Sequence, residues 1–219
     1  MPEVLVVSGS GPYSDPWHRF PETSRRLAAI ISGISKSVEV TEDVEGRLAL
    51  PGRCDLLVVN IGNPSAPRPP DRITAAARGL TGHLAAGGAL LGVHVSATSL
   101  TTMAEWPAIL GGRWVRGHTM HPPQDLASIE IRSDSHPIVV GMTDFQIFDE
   151  RYSFLQTNPG VEVLCDHEDD EVRHPIVWAR ETSRARVVYD GLGHDARSYD
   201  SAAHVELVER SVRWLLREL

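Results

Sequence analysis

The stretch "GGALLGVHVSATS" (87–99) decides how this chain is read. Its two glycines close a helix, and the run 89–95 has the continuous apolar character of a strand covered on both faces. A turn of small residues follows. In several α/β enzyme classes that strand-to-helix turn carries the nucleophile. Here it carries His94, neither a serine nor a cysteine. An imidazole is a costly choice at a crowded turn unless its proton or its lone pair is used.

Outward from that strand, the first half alternates strand and helix. "EVLVVSG" (3–9), "VEV" (38–40) and "DLLVVNIG" (55–62) are β-rich runs. "PETSRRLAAIISGIS" (21–35) and "DRITAAARGLTGHLAAGG" (71–88) carry helical signals, with Leu27, Ile30, Ile31 and Ile34 at helical spacing in the first. That order predicts βα units on a parallel sheet. The second half reads as extra strands at 126–133, 145–152, 161–167, 174–181 and 184–194, closed by an amphipathic helix over 203–219. No repeat or long linker interrupts the chain, so residues 1–219 are read as one domain.

Composition narrows the classes of function. Among 219 residues the formal net charge is −8, which repels nucleic acid and anionic lipid alike. "DHEDDE" (166–171) reads as a solvated loop. The two cysteines, Cys54 and Cys165, form no disulfide framework and fit a reducing compartment. The chain opens on a strand, without the basic and apolar regions of a signal peptide. It has no apolar run long enough to span a bilayer, so a cytoplasmic location is expected. "SGSG" (8–11) lacks both the lysine of a P-loop and the third glycine of a dinucleotide fingerprint, so no nucleotide cofactor is expected.

Ligands of open α/β sheets sit at the carboxyl ends of the strands. His18, His94, His118, His121, Asp149, Glu150 and His194 all fall in or near such loops. His118 and His121, in "RGHTMHPP", are spaced so that two imidazoles could approach one ion, with His94 as a third ligand. Asp149 and Glu150 end the strand "FQIFDE". Strand alternation sends them to opposite faces unless the strand ends between them, so one of the two is expected to face the pocket as general base, metal ligand or hydroxyl acceptor. Trp17, His18 and Tyr152 are candidate ligand-binding rings. Five further histidines, His83, His136, His167, His174 and His204, read as structural or solvated.

"GGALLGVHVSA", "EWPAILGGRW…H", "SHPIVVGMTDFQIFDERY" and "RARVVYDGLGHD" together resemble the ThuA-like (trehalose utilisation) family, over nearly the whole chain. The resemblance implies the class I glutamine amidotransferase-like fold, a flavodoxin-like α/β/α sandwich with a mostly parallel central sheet and extra strands in the second half. It favours Glu150 within its "DE-x-Y" motif, His194 within "GLGH", His118 after the "GG-aromatic" pair, and a histidine after the first strand. It also implies disaccharide catabolism beside an oxidoreductase that makes 3-keto sugars. In glutamine amidotransferases the turn at His94 holds the catalytic cysteine. Without that thiolate the amidotransferase reaction has no nucleophile.

The expected activity is therefore that of a lyase, isomerase or hydrolase on a keto-sugar or keto-glycoside derived from a disaccharide such as trehalose. Glu150 or His194 would be the base, with Asp149 and His94 as further catalytic candidates. One divalent ion, zinc or manganese, would assist at His94, His118 and His121. The alternative is a non-catalytic module that holds a carbohydrate or a partner.

Overall fold

The computed structural model describes residues 2–219. Its first half runs β1 (Glu3–Ser8), α1 (Phe20–Ser32), β2 (Ser37–Thr41), α2 (Val44–Ala49), β3 (Leu56–Asn60), α3 (Pro70–Ala85) and β4 (Ala89–Val93). A 3-10 turn at His94–Ala97 leads into α4 (Trp106–Leu110) and the two-residue β5 (Gly112–Arg113). Then come β6 (Asp125–Ile131), β7 (Phe145–Asp149), the two-residue β8 (Gln156–Thr157), β9 (Glu162–Asp169), β10 (Val172–Glu181) and β11 (Arg186–Asp190). A further 3-10 turn, Ala196–Asp200, precedes α5 (Ala202–Leu215).

Nine strands form one sheet in the order β2-β1-β3-β4-β11-β10-β9-β6-β7, and β5 pairs with β8 apart from it. The strands from β2 through β11 pair in parallel. From β11 to β7 every pairing is antiparallel. Each residue of β3 and β4 is buried. Alternate side chains point to opposite faces, so both faces must be covered, and the helices pack in pairs to do it, α1 with α5 and α2 with α3. This is the α/β sandwich that the alternating first half predicts.

Three local readings are corrected. The acidic run at 166–171 is not a solvated loop: Asp166–Asp169 belong to β9, Asp166 and His167 are buried, and only Asp170 and Glu171 form the turn. Both turn residues have positive φ, 48° and 63°, as a two-residue hairpin with right-handed strand twist requires. Asp166 is held by Arg132 at 3.0 Å and Arg173 at 3.2 Å, which is why a carboxylate is tolerated there. The strand expected at 145–152 ends at Asp149, and that expected at 184–194 ends at Asp190. The six-residue α2 and five-residue α4 were too short to show helical periodicity.

The sheet is far from flat. Strand β4 is fourth and β7 ninth in the order, so a flat sheet would hold them about 24 Å apart at about 4.8 Å per strand. The side chains that follow them nevertheless meet, His94 and Glu150 lying 3.3 Å apart. The antiparallel half therefore coils back toward the carboxyl ends of the parallel strands.

Candidate functional site

Each side chain of the site is set by the end of a strand. β4 hands over to the 3-10 turn at His94, whose φ of 42° lies in the left-handed region. The His94 Nδ1–H donates to the Gly191 carbonyl at 2.7 Å, leaving the Nε2 lone pair free. Tyr152 stacks on the ring, centroids 4.4 Å apart. After β1, Asp15 accepts from the backbone amides of Trp17 and His18 at 2.9 and 2.8 Å. The same carboxylate takes His18 Nδ1 at 2.8 Å, which turns His18 Nε2 inward. After β7, Glu150 Oε2 lies 3.3 Å from His94 Nε2 and 3.3 Å from His194 Nδ1. Glu150 Oε1 lies 3.0 Å from His121 Nδ1. His194 comes from the loop after β11.

Electrostatics follow this packing. Burial would raise the Glu150 carboxyl, but His194 and His94 beside it outweigh burial and hold it well below the usual carboxylate range. Burial lowers His194, yet Glu150 more than offsets it, so the net shift is upward. Burial dominates at His18, whose shift is downward despite Asp15.

Among the described residues, His18, His94, Glu150 and His194 are the group of histidine and acidic side chains that could hold a metal ion. One donor atom from each lies within 4.8 Å of all the others. Two observations test the fit. His18 Nε2, His94 Nε2 and His194 Nδ1 are buried and have no hydrogen-bond partner among the described residues. Three orphaned imidazole nitrogens around one carboxylate would be a costly arrangement if nothing occupied the space between them. The two 3.3 Å nitrogen–oxygen separations also match the edge of a tetrahedron with bonds of about 2.0 Å, which is about 3.3 Å. The donors fit a borderline divalent cation of the zinc or manganese kind.

The expected metal set is corrected by this geometry. His118 is exposed, its ring against Phe154 at 5.5 Å, outside the cluster. His121 reaches Glu150 from outside the group of four rather than joining it. His18, Glu150 and His194 stand beside His94 instead. Asp149, a catalytic candidate from its sequence, points away from the pocket. It is fully buried and accepts from the backbone N–H groups of Glu150, Gly193 and His194 and from the Ser198 hydroxyl. The strand ends between the two, and of the pair only Glu150 lines the pocket.

The cluster opens into a cavity of about 440 Å³ lined by Trp17, His18, Thr98, Trp114, His121, Glu150, Tyr152 and His194. Trp17 is 73% exposed at its edge. Trp114 packs edge-on against Tyr152 at 4.8 Å. The cavity thus joins aromatic walls to a floor of imidazoles and one carboxylate. Sequence reading missed Asp15, Trp114 and the Gly191 carbonyl. Asp15 left a signal in a carboxylate three residues before a histidine in "DPWH", and Trp114 and Gly191 stood inside motifs that were read for the histidines after them.

Among solved structures, the chain is similar to a ThuA-like protein from Parabacteroides merdae, with 17% identity, TM-score 0.81, and 100% of this chain and 91% of that chain covered. A ThuA-like protein from Bacteroides uniformis gives 15% identity and TM-score 0.78, covering 98% of this chain and 91% of that chain. A glutamine amidotransferase from Thermotoga maritima gives 8% identity and TM-score 0.58, covering 98% of each chain. At these identities the likeness is one of fold. No curated protein matches the chain. No helix among the described residues is long and apolar enough to cross a membrane. The family model described as trehalose utilisation, ThuA, matches residues 3–215, and the chain belongs to that family.

Proposed function

We propose that this protein is a carbohydrate-processing enzyme that abstracts a proton beside the carbonyl of a keto-glycoside, with one divalent cation held by His18, His94, Glu150 and His194. The observation that carries the reading is the convergence of three buried, unpartnered imidazole nitrogens on Glu150. A bound cation would polarise the keto oxygen and stabilise the charge that develops there.

The chain's own residues account for the rest. The aromatic rings of Trp17 and Trp114 offer flat apolar faces to the C–H faces of a pyranose, and Tyr152, buried and stacked on His94, backs that wall. Glu150, held ionised with both oxygens engaged, is a weak base. The base role falls to His121 on the cavity wall, because its Nδ1 lies 3.0 Å from both Glu150 Oε1 and the Pro122 carbonyl. Two acceptors at Nδ1 place the ring proton there and leave the Nε2 lone pair to take a substrate proton. The electron pair of the broken C–H bond moves into the enolate. Expulsion of the glycosidic oxygen from the next carbon, which takes the proton from His121 and leaves as an alcohol, gives elimination, and return of a proton to the opposite face of the same carbon gives isomerisation. An oxidoreductase that converts a sugar hydroxyl to a ketone would supply the substrate.

The test is metal content by mass spectrometry of protein purified without chelator, joined to deuterium exchange into keto-glycosides in heavy water. About one equivalent of zinc or manganese, together with exchange lost in His121→Ala, supports the reading. Metal-free protein that exchanges no keto-glycoside overturns it, and sugar binding without exchange would favour a binding module.

A further inference from the structure

Beneath the cluster lies a fully buried polar chain that the proposed chemistry does not use. Asp190, at the end of β11, accepts from His204 Nε2 at 2.9 Å. On its other side His204 Nδ1 lies 2.8 Å from Ser198 Oγ and 3.1 Å from the Ser198 carbonyl. Ser198 donates its hydroxyl hydrogen to Asp149 Oδ2 at 2.6 Å. With that hydrogen committed, the serine oxygen can only accept from His204. Both ring nitrogens of His204 therefore donate, and the ring is an imidazolium between two carboxylates. His204 and Ser198 have no exposed surface, Asp149 has none, and Asp190 is nearly as buried.

Both ends of this chain grip the site. At one end Asp149 Oδ1 accepts from the backbone N–H of Glu150 at 2.8 Å and of His194 at 3.1 Å, while Oδ2 accepts from Gly193 at 2.8 Å. At the other end Asp190 Oδ1 accepts from the Leu192 N–H at 3.0 Å. That bond fixes the turn whose Gly191 carbonyl holds His94 Nδ1. Three of the four donors, from the ends of three strands, are thus tied to one network. The fourth, His18, has its own brace in Asp15. The network ends on backbone amides, which relay no proton, so it does not serve as a proton wire.

We infer that Asp149, Ser198, His204 and Asp190 are positioning residues, whose shared network presets His94, Glu150 and His194 for a cation before it binds. The inference rests on the metal reading above. A preset site loses affinity when the groups that orient its ligands are removed, by about 10-fold to 100-fold.

The experiment is cobalt(II) titration of the full chain, following the ligand-field spectrum, with thermal melting recorded for every variant. Ser198→Ala cuts the chain at its middle with little loss of volume, and His204→Gln is the second cut should the first variant not fold. Ser24→Ala is the control. Ser24 is a buried serine bonded to Ser8 at 2.8 Å and Asn60 at 2.9 Å, with no bond to the proposed ligands or to the Asp149–Asp190 network. The expected result is about a tenfold weaker cobalt affinity and an altered spectrum in the folded Ser198 or His204 variant, with Ser24→Ala binding as the wild type does. Wild-type affinity and spectrum in both Ser198→Ala and His204→Gln would overturn the inference alone. An equal loss in Ser24→Ala would do the same, since it would make the effect one of general stability. A wild-type protein that takes up no cobalt would overturn the metal reading and this inference together.

Discussion

Glu150 is the hub of the site, since two histidines meet one of its oxygens and a third meets the other. Glu150→Gln keeps the volume but removes the charge, and it replaces an acceptor with an amide donor facing imidazole nitrogens. Zinc affinity measured by competition with a chromophoric chelator is expected to fall by more than about 100-fold. Asp15→Asn disturbs only the orientation of His18, and about a tenfold loss is expected there. Unchanged affinity in Glu150→Gln would place the ion elsewhere. At this scale the sequence was a good guide to residue type and a poor one to grouping. His94, Glu150 and His194 were visible as polar residues at the ends of strands. The company of His18 was not, because the loop that carries it is fixed by an Asx turn at Asp15 rather than by any spacing to the other histidines.

Elements show where local propensity yields to packing. Gly79 sits inside α3, where alanine would ordinarily stabilise a helix by about 1 kcal/mol. Its α-carbon faces α2 so closely that an added Cβ would collide with the carbonyl oxygens of Leu48 and Ala49. Backbone atoms cannot rotate away as a side chain can, so the two helices would have to separate. Gly79→Ala is therefore expected to destabilise the protein by about 2 kcal/mol, read as a lower urea midpoint at unchanged slope. A midpoint that rises would show that propensity wins. Helix α2 itself escaped sequence reading, since six residues hold too few turns to display a period.

Over the whole molecule, buried histidines set the response to acid. Burial lowers His18 in the site and His83, His136, His167 and His174 outside it. Such groups take up a proton on unfolding near their ordinary pKa of about 6.5, so each subtracts stability as the pH falls through that value. His194 and His204 act in the opposite sense. Burial would lower them, but Glu150 beside the first and Asp190 beside the second raise them. Their contribution is complete below about pH 6.5 and fades as pH rises through the raised value. Five against two, the metal-free protein is expected to lose stability from about pH 7 to about pH 5.5. The slope is bounded by about 1.4 kcal/mol per pH unit for each net proton. Calorimetric melting across that range checks it, and a Tm that rises toward acid would contradict the accounting.

The sequence by itself determined the alternating strands of the parallel half and placed His94 and Glu150 near strand ends, within a few residues of where the strands stop. Those features follow from hydrophobic periodicity and turn chemistry, which act within a few residues of chain. Only the tertiary structure decided which polar groups share a site. The antiparallel half coils back to carry Glu150 onto His94, and a buried chain from Asp190 through His204 and Ser198 to Asp149 braces the result. His204 shows the reason most clearly. In sequence it is one more histidine in the first turn of an amphipathic helix. Its charge is set by two carboxylates from β7 and β11, and no local pattern records that contact.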